Sequence, residues 1–232
     1  MKKSPRFTDV LEPLEDSDFP RRNDETDADL AEMGQILAEV LGRHGVEVGV
    51  MFGTLLGAIR EGTTIPGDKD FDLFVKEPFV AKARLIVDEL CGYGFTRIRT
   101  TSEILSLRWK TAYCDFMLVR FEWRGARLHH YILPKRLFVD HASAEINGDE
   151  WLTPLNPEVI LRRLYGRDWR TPKSNARAIP NLPIPRLVHT MRTLGYHLFQ
   201  RPVQHLVVSP VRESARIYNE VFRGQSMLGV LK

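Results

Sequence analysis

This sequence predicts a mixed α/β domain of α+β type, about 150 residues long, and three observations carry the prediction. Apolar residues recur at helical spacing in "TDADLAEMGQILAEVLGRHG", "EPFVAKARLIVDELCGYG" and "PEVILRRLYG". A β-rich run with two hairpin signals lies between the second and third of these segments. Residues 170–186 then hold four prolines, a linker-like stretch that precedes a basic, helix-prone C-terminal part. The expected organisation is a flexible acidic arm over 1–25, a catalytic domain over 26–172, and a linker with a helical extension over 173–232.

The elements follow in order. Pro5, Pro13 and Pro20 punctuate a polar, acidic N-terminus that reads as a loosely ordered arm. The first helix places Leu30, Met33, Leu37, Val40 and Leu41 on one face, with Gly45 as its stop. "VEVGVMF" is β-like and runs into Gly53. Val80, Ala83, Val87 and Leu90 mark the second helix, which ends near Gly92. The pieces "FTRIRT", "ILSLRWK", "AYCDFMLVRFEW" and "ARLHHYIL" read as strands, with a turn at Arg124-Gly125-Ala126. Asn147-Gly148 is the strongest short hairpin signal. Asn156 can cap the third helix, Pro157 suits its first turn, and Gly166 ends it.

Bulk composition narrows the class. Of 232 residues 43% are hydrophobic and 27% charged, as expected of a globular protein, and a net charge of +3 gives no reason to invoke nucleic acid. The charge is unevenly spread. Residues 1–29 carry nine acids against five bases, whereas 185–232 carry seven bases against Glu213 and Glu220. The basic end suits an acidic face of its own fold, or peripheral contact with an anionic membrane. Cys91 and Cys114 show neither a disulfide pattern nor a metal spacing. The N-terminus lacks the apolar core of a secretory signal, and no stretch reaches the roughly 20 apolar residues of a membrane span. A cytoplasmic location is expected.

Chemistry concentrates in "GTLLGAIREGTTIPGDKDFDLFV", Gly53–Val75. If "DFDLFV" is a strand, Asp70 and Asp72 project from one face while Phe71, Leu73 and Val75 anchor the other. Like charges so close raise a carboxyl pKa unless a cation neutralises them. Paired oxygen ligands on a rigid strand suit Mg²⁺, or Mn²⁺ in its place. Asp115 is the only charge inside an apolar β-like run and needs a partner. A neighbouring strand bearing Asp70 and Asp72 would supply one through a shared metal, with Asp115 as third ligand or as base for an attacking hydroxyl. A solvated turn after Pro66-Gly67 is the alternative reading of the pair.

These residues bring a resemblance with them. Gly53-Thr54, fifteen intervening residues and Asp70-Phe71-Asp72 resemble the nucleotidyltransferase-fold pattern of Gly-Ser/Thr followed by Asp-x-Asp. The stretch is more closely similar to the LicD/fukutin-type phosphotransferases, whose signature reads approximately GTLLGAxR…IPWDDDxDI. "NPEVILRRLYGRDWRTP" matches that family's later signature through Tyr165, Gly166, Asp168, Trp169 and Pro172. The resemblance spans roughly residues 28–172. Two positions depart from it: Gly67 stands where tryptophan is usual, and Lys69 replaces the central acid.

The resemblance implies a nucleotidyltransferase-like core sheet and an enzyme that moves a phospho-alcohol group from a CDP-linked donor to a glycan or glycolipid hydroxyl. By carry-over, Gly53 and Thr54 cradle donor phosphate, and Asp70, Asp72 and Asp115 hold the metal. Arg60 is placed to neutralise phosphate charge. Lys110 could meet phosphate, and Trp169 could stack on the donor base or alcohol head group. Two rival readings remain, a nucleotidyltransferase that transfers an NMP group, and a catalytically silent nucleotide-binding or assembly module.

Overall fold

In the computed structural model, residues 4–15, 18–123, 125–129 and 131–172 are described. The helix predicted first is α1, Thr26–His44, and it buries Leu30, Met33, Leu37, Val40 and Leu41 along one face. It stops at Gly45, whose φ of 58° is a left-handed conformation that glycine adopts readily. Strand β1 (Val48–Val50), helix α2 (Phe52–Glu61) and strand β2 (Asp70–Val75) follow, then helix α3 (Glu77–Gly92). Strands β3 (Thr96–Thr100), β4 (Ile104–Trp109) and β5 (Ala112–Glu122) form the β-rich run, which continues through β6 (Gly125–Leu128) and β7 (Tyr131–Leu133). A short helix α4 (Arg136–Val139), the hairpin β8 (His141–Ile146) and β9 (Asp149–Pro154), and helix α5 (Pro157–Tyr165) complete the described elements.

The principal sheet has the order β3-β4-β5-β2-β1-β9-β8, with β6 and β7 continuing from β5 as a side ribbon. The sheet is mixed. Strand β2 runs parallel to β5 and antiparallel to β1, and β1 runs parallel to β9. Alternation along β2 decides its two faces. Phe71, Leu73 and Val75 are buried on one side, where Gly34 of α1 comes so near Phe71 that an added Cβ would lie 3.2 Å from its ring. Phe79 of α3 stacks on Phe116 of β5 with centroids 4.9 Å apart. Helices therefore cover the face behind the aspartates.

Two differences from the sequence reading have clear causes. The run "ARLHHYIL" breaks into β6 and β7 because His129 takes a left-handed φ of 51° and turns the chain. The N-terminal segment expected to be a loose arm is docked instead. Phe7 is fully buried and meets Phe79 edge-on at 6.1 Å, while Leu14 pairs with Thr100 through backbone bonds of 3.1 and 2.8 Å. A few well-placed apolar side chains outweigh an acidic, proline-marked composition here.

The chain divides into two units, Met1–Glu158 and Val159–Lys232. In the second, the expected Gly166 stop is present, with φ of 92°. The expected linker and helical extension over 173–232 lie outside the described residues. No described helix is long and apolar enough to cross a membrane.

Candidate active site

The site begins where β1 meets α2. Met51 is extended, and its N–H donates to the Asp72 carbonyl at 2.9 Å, continuing the β1–β2 pairing. Phe52 then adopts φ of 47°, a conformation costly for a bulky residue, and the chain turns directly into α2. This turn aims the start of α2 at β2. The Gly53 N–H donates to the Asp72 carboxylate, and the Thr54 hydroxyl accepts the Asp72 N–H at 2.8 Å. A Cβ at 53 would lie 2.6 Å from Oδ2 of Asp68, so any larger residue there displaces that carboxylate.

Asp68 closes the loop that leads from α2 back to β2. Its N–H donates to the Ile65 carbonyl at 3.0 Å, and the preceding Gly67 has φ of 92°. Oδ1 of Asp68 accepts the Lys69 N–H at 3.0 Å, and its carboxyl hydrogen-bonds that of Asp70. Asp70 accepts in turn from the Tyr113 hydroxyl at 3.0 Å. In the β2–β5 register Asp70 pairs with Tyr113 and Asp72 with Asp115, so all four side chains share one face.

The partner of Asp115 is an arginine. Arg99 of β3 donates from a terminal guanidinium nitrogen to Oδ2 at 2.7 Å, and Ser106 of β4 donates to Oδ1. Arg99 also donates from Nε to the Ser106 hydroxyl at 2.9 Å, which locks the three together. The register that pairs Ser106 with Asp115 produces this arrangement. A buried carboxylate was expected to need a partner, and the sheet itself supplies one.

Like charges and burial govern protonation here. Burial pushes Asp68 up to about 7, with its Asp70 hydrogen bond adding to the shift. Asp72 is pushed well above the usual carboxylate range, first by burial and then by Asp70, Asp115 and Asp68, with only the Gly53 N–H opposing. Burial also raises Asp115, while Arg99 and Ser106 hold it down. Tyr113 is driven far upward by burial and by Asp70, so its hydroxyl remains a donor. Asp68, Asp70 and Asp72 therefore form a cluster of carboxyls whose full ionisation is opposed by their mutual repulsion, and none of them makes an ion pair among the described residues.

That cluster fits a hard divalent cation in kind, being all carboxyl oxygen, with Lys69 opposing the repulsion at Asp68. No group of three or more acidic, histidine or cysteine side chains among the described residues is already disposed around one metal-sized point. Ligation would require side-chain rotation within the cluster.

Of the other expected residues, Thr54 bonds the backbone of Asp72 and the Gly53 N–H its carboxylate, which places both at the site. Arg60 sits in the last turn of α2, about 10 Å along the helix from Gly53, and pairs with Glu61. Lys110 reaches back to α1, with Nζ 2.9 Å from Glu32 and 3.8 Å from Asp29, and lies 4.0 Å over the Trp109 ring. Trp169 belongs to the second unit, where its ring is buried and carries the Arg170 guanidinium at 4.3 Å. The residues the sequence reading did not select are Asp68, Arg99, Ser106 and Tyr113. Asp68 and Tyr113 were within reach of the same period-2 rule, each lying two residues before a selected aspartate.

The cluster falls inside a recognisable domain. Residues 45–157 match the family model described as LicD/FKTN/FKRP, nucleotidyltransferase domain. This segment is a LicD-family domain. The LicD-type stretch contains Gly53, the three aspartates of the loop and β2, Tyr113 and Asp115, and it leaves outside all of α1 and all but the first residue of α5. No curated protein matches the chain. Among solved structures, a crystal structure of ANT(2")-Ia in complex with adenylyl-2"-tobramycin is 12% identical, with 84% of this chain and 97% of that chain covered at a TM-score of 0.46. A solution structure of the antibiotic-resistance factor ANT(2'')-Ia is also 12% identical, covering 85% and 93% at a TM-score of 0.48. Overlaps of that size bear on neither the substrate nor the chemistry of the LicD-type domain.

Proposed function

We propose that the protein is a metal-dependent transferase that moves a phospho-alcohol group from a CDP-linked donor to a hydroxyl of a glycan or glycolipid acceptor. The observation that supports this reading is the meeting of Asp72 and Asp115 in register across β2 and β5, beside Asp70 and Asp68, within a LicD-family domain. Asp68, Asp70 and Asp72 are the residues that would hold Mg²⁺ or Mn²⁺, and the ion would neutralise pyrophosphate charge.

In this reading Asp115 receives the proton of the acceptor hydroxyl, and Arg99 and Ser106 keep its carboxylate oriented for that transfer. The acceptor oxygen forms a bond to the phosphorus that carries the alcohol. The bond from that phosphorus to the bridging oxygen breaks, and CMP leaves with the bridging oxygen. The Tyr113 hydroxyl holds Asp70 in orientation. The partners of the reaction are then a CDP-alcohol and a saccharide hydroxyl, with no role for nucleic acid. Peripheral attachment at the inner face of a membrane would bring a lipid-linked acceptor within reach.

A mass-spectrometric screen of CDP-alcohols with Mg²⁺ tests the reading. The expected product is CMP, with the acceptor gaining the donor-derived phospho-alcohol mass, and both Asp70→Ala and Asp72→Ala abolish it. Release of pyrophosphate from a nucleoside triphosphate would instead establish NMP transfer, which the domain's name also accommodates. Unchanged metal binding and turnover in the aspartate variants would overturn the role of the pair, and a wild type that turns over neither kind of donor would leave a silent module.

A further inference from the structure

The N-terminal segment outside the matched domain reaches the aspartate face directly. It is fixed upstream by the Leu14–Thr100 pairing and downstream by Asp27, whose Oδ1 accepts the Gly67 N–H at 3.1 Å. Between these ties Arg108 donates to the Asp18 carbonyl at 3.3 Å. Phe19 is thereby set against two groups that touch the acids. Its ring meets Tyr113 edge-on, with centroids 5.0 Å apart and planes at 87°. The Arg99 guanidinium lies 5.2 Å over the centre of the same ring.

Each of those two neighbours makes one defining hydrogen bond of the site, Tyr113 to Asp70 and Arg99 to Asp115. An edge-to-face contact fixes the tilt of the tyrosine ring, and a cation over an aromatic face fixes a guanidinium plane. One phenylalanine thus bears on both aspartates through their hydrogen-bond donors. A further contact falls on the loop that carries Asp68. Arg22 lies beside Gly67, its guanidinium 3.7 Å from where a Cβ would be.

We propose that Phe19 is a positioning residue for the transfer site, holding the Tyr113–Asp70 and Arg99–Asp115 pairs in register from a segment that is not part of the LicD-type domain. In its metal arm this rests on the proposed function above. The expectation is that Phe19 preorganises the acid cluster and that the protein's own N-terminal segment completes one wall of the site.

The test uses the full chain and manganese alone. Calorimetric titration with MnCl₂ compares the wild type with Phe19→Ala, Phe19→Tyr, Tyr113→Phe and the Phe19→Ala/Tyr113→Phe double variant. Phe19→Ala is expected to weaken Mn²⁺ binding about five- to tenfold, and Phe19→Tyr to restore it to about the wild-type level. In the Tyr113→Phe background the effect of Phe19→Ala should shrink to less than about twofold, the non-additivity of residues acting as one unit. A merely structural role would give additive losses, and those overturn the proposal, as does unchanged binding in Phe19→Ala. If Phe19→Ala does not fold, Phe19→Leu takes its place under the same outcomes. NMR of ¹³C-tyrosine-labelled, metal-free protein supplies an independent readout, with the Tyr113 signal assigned by Tyr113→Phe. That signal should shift in Phe19→Ala and return in Phe19→Tyr, and an unmoved signal refutes the positioning role. A wild type that binds no Mn²⁺ removes the metal reading, while the tyrosine signal still decides the role of Phe19.

Discussion

Asp72 and Asp115 stand opposite each other on parallel strands β2 and β5, yet only Asp115 has a cation beside it. Two carboxylates on adjacent strands have been given different surroundings, one neutralised by Arg99 and one facing its own kind. A carboxylate held by an arginine can take up and pass on a proton in a fixed orientation. One left among like charges attracts a metal.

Replacing Asp72 by asparagine removes a source of carboxyl repulsion while keeping the shape of the side chain. Transfer activity should fall by roughly two orders of magnitude or more. The thermal midpoint of the metal-free protein should rise at neutral pH. Added Mg²⁺ should stabilise the wild type and leave Asp72→Asn almost unmoved in differential scanning fluorimetry.

Arg99→Gln leaves Asp115 dependent on Ser106 alone. Breaking a buried pair costs about 3–5 kcal/mol, and these side chains retain 19% and 14% exposure, so a loss of about 2–3 kcal/mol is expected in urea unfolding. An Arg99→Gln/Asp115→Asn double variant should recover part of that loss, since no unpaired charge remains.

Gly53→Ala should fold and lose activity. Its methyl group would have to displace the Asp68 carboxylate, 2.6 Å away, and with it the Asp68–Asp70 hydrogen bond. Gly67→Ala is a contrasting change, with no close steric neighbour but a φ of 92°. It should cost about 1 kcal/mol of stability through backbone strain. Paired measurements of turnover and thermal midpoint distinguish the two.

His141 predicts a pH effect remote from the aspartates. Burial lowers its pKa, helped by Lys76, whose Nζ lies 2.9 Å from Nε2; Glu47 and Asp140 oppose. The unfolded chain then takes up a proton more readily than the folded one below about pH 6.5. This contribution to stability is present above the unfolded value and is lost as pH falls toward the depressed folded value. Other groups titrate over the same range, so the quantity to measure is the difference between the wild type and His141→Gln. Chemical denaturation from pH 8 to 5 should show that difference changing below pH 6.5, to the disadvantage of the wild type.

Much of β2 was legible from its residues alone, because period-2 alternation needs no knowledge of neighbours. Phe71, Leu73 and Val75 point one way, and Asp70 and Asp72 the other, as the pattern requires. Asp115 was recognisable as a charge needing a partner. Its partner was not, since Arg99 and Ser106 reach it through the pairings of three strands, and register between strands is decided by the whole sheet. The partners of Arg60 and Lys110 were equally hidden: Glu61 pairs with the one, and Glu32 and Asp29 with the other. Docking of the acidic N-terminus was hidden for a different reason. Phe7, Leu11 and Phe19 are isolated apolar residues in a polar stretch, and composition averages such anchors away.

The helix α1 packed behind Phe71 has a practical consequence for anyone cutting the gene. A fragment spanning only residues 45–157 would lack Leu30, Met33 and Leu37, and the back of β2 would face water. Such a fragment should aggregate on expression, whereas one that starts ahead of Phe7 should stay in solution. The borders of shared ancestry and the borders of the folding unit differ in this chain by nearly forty residues.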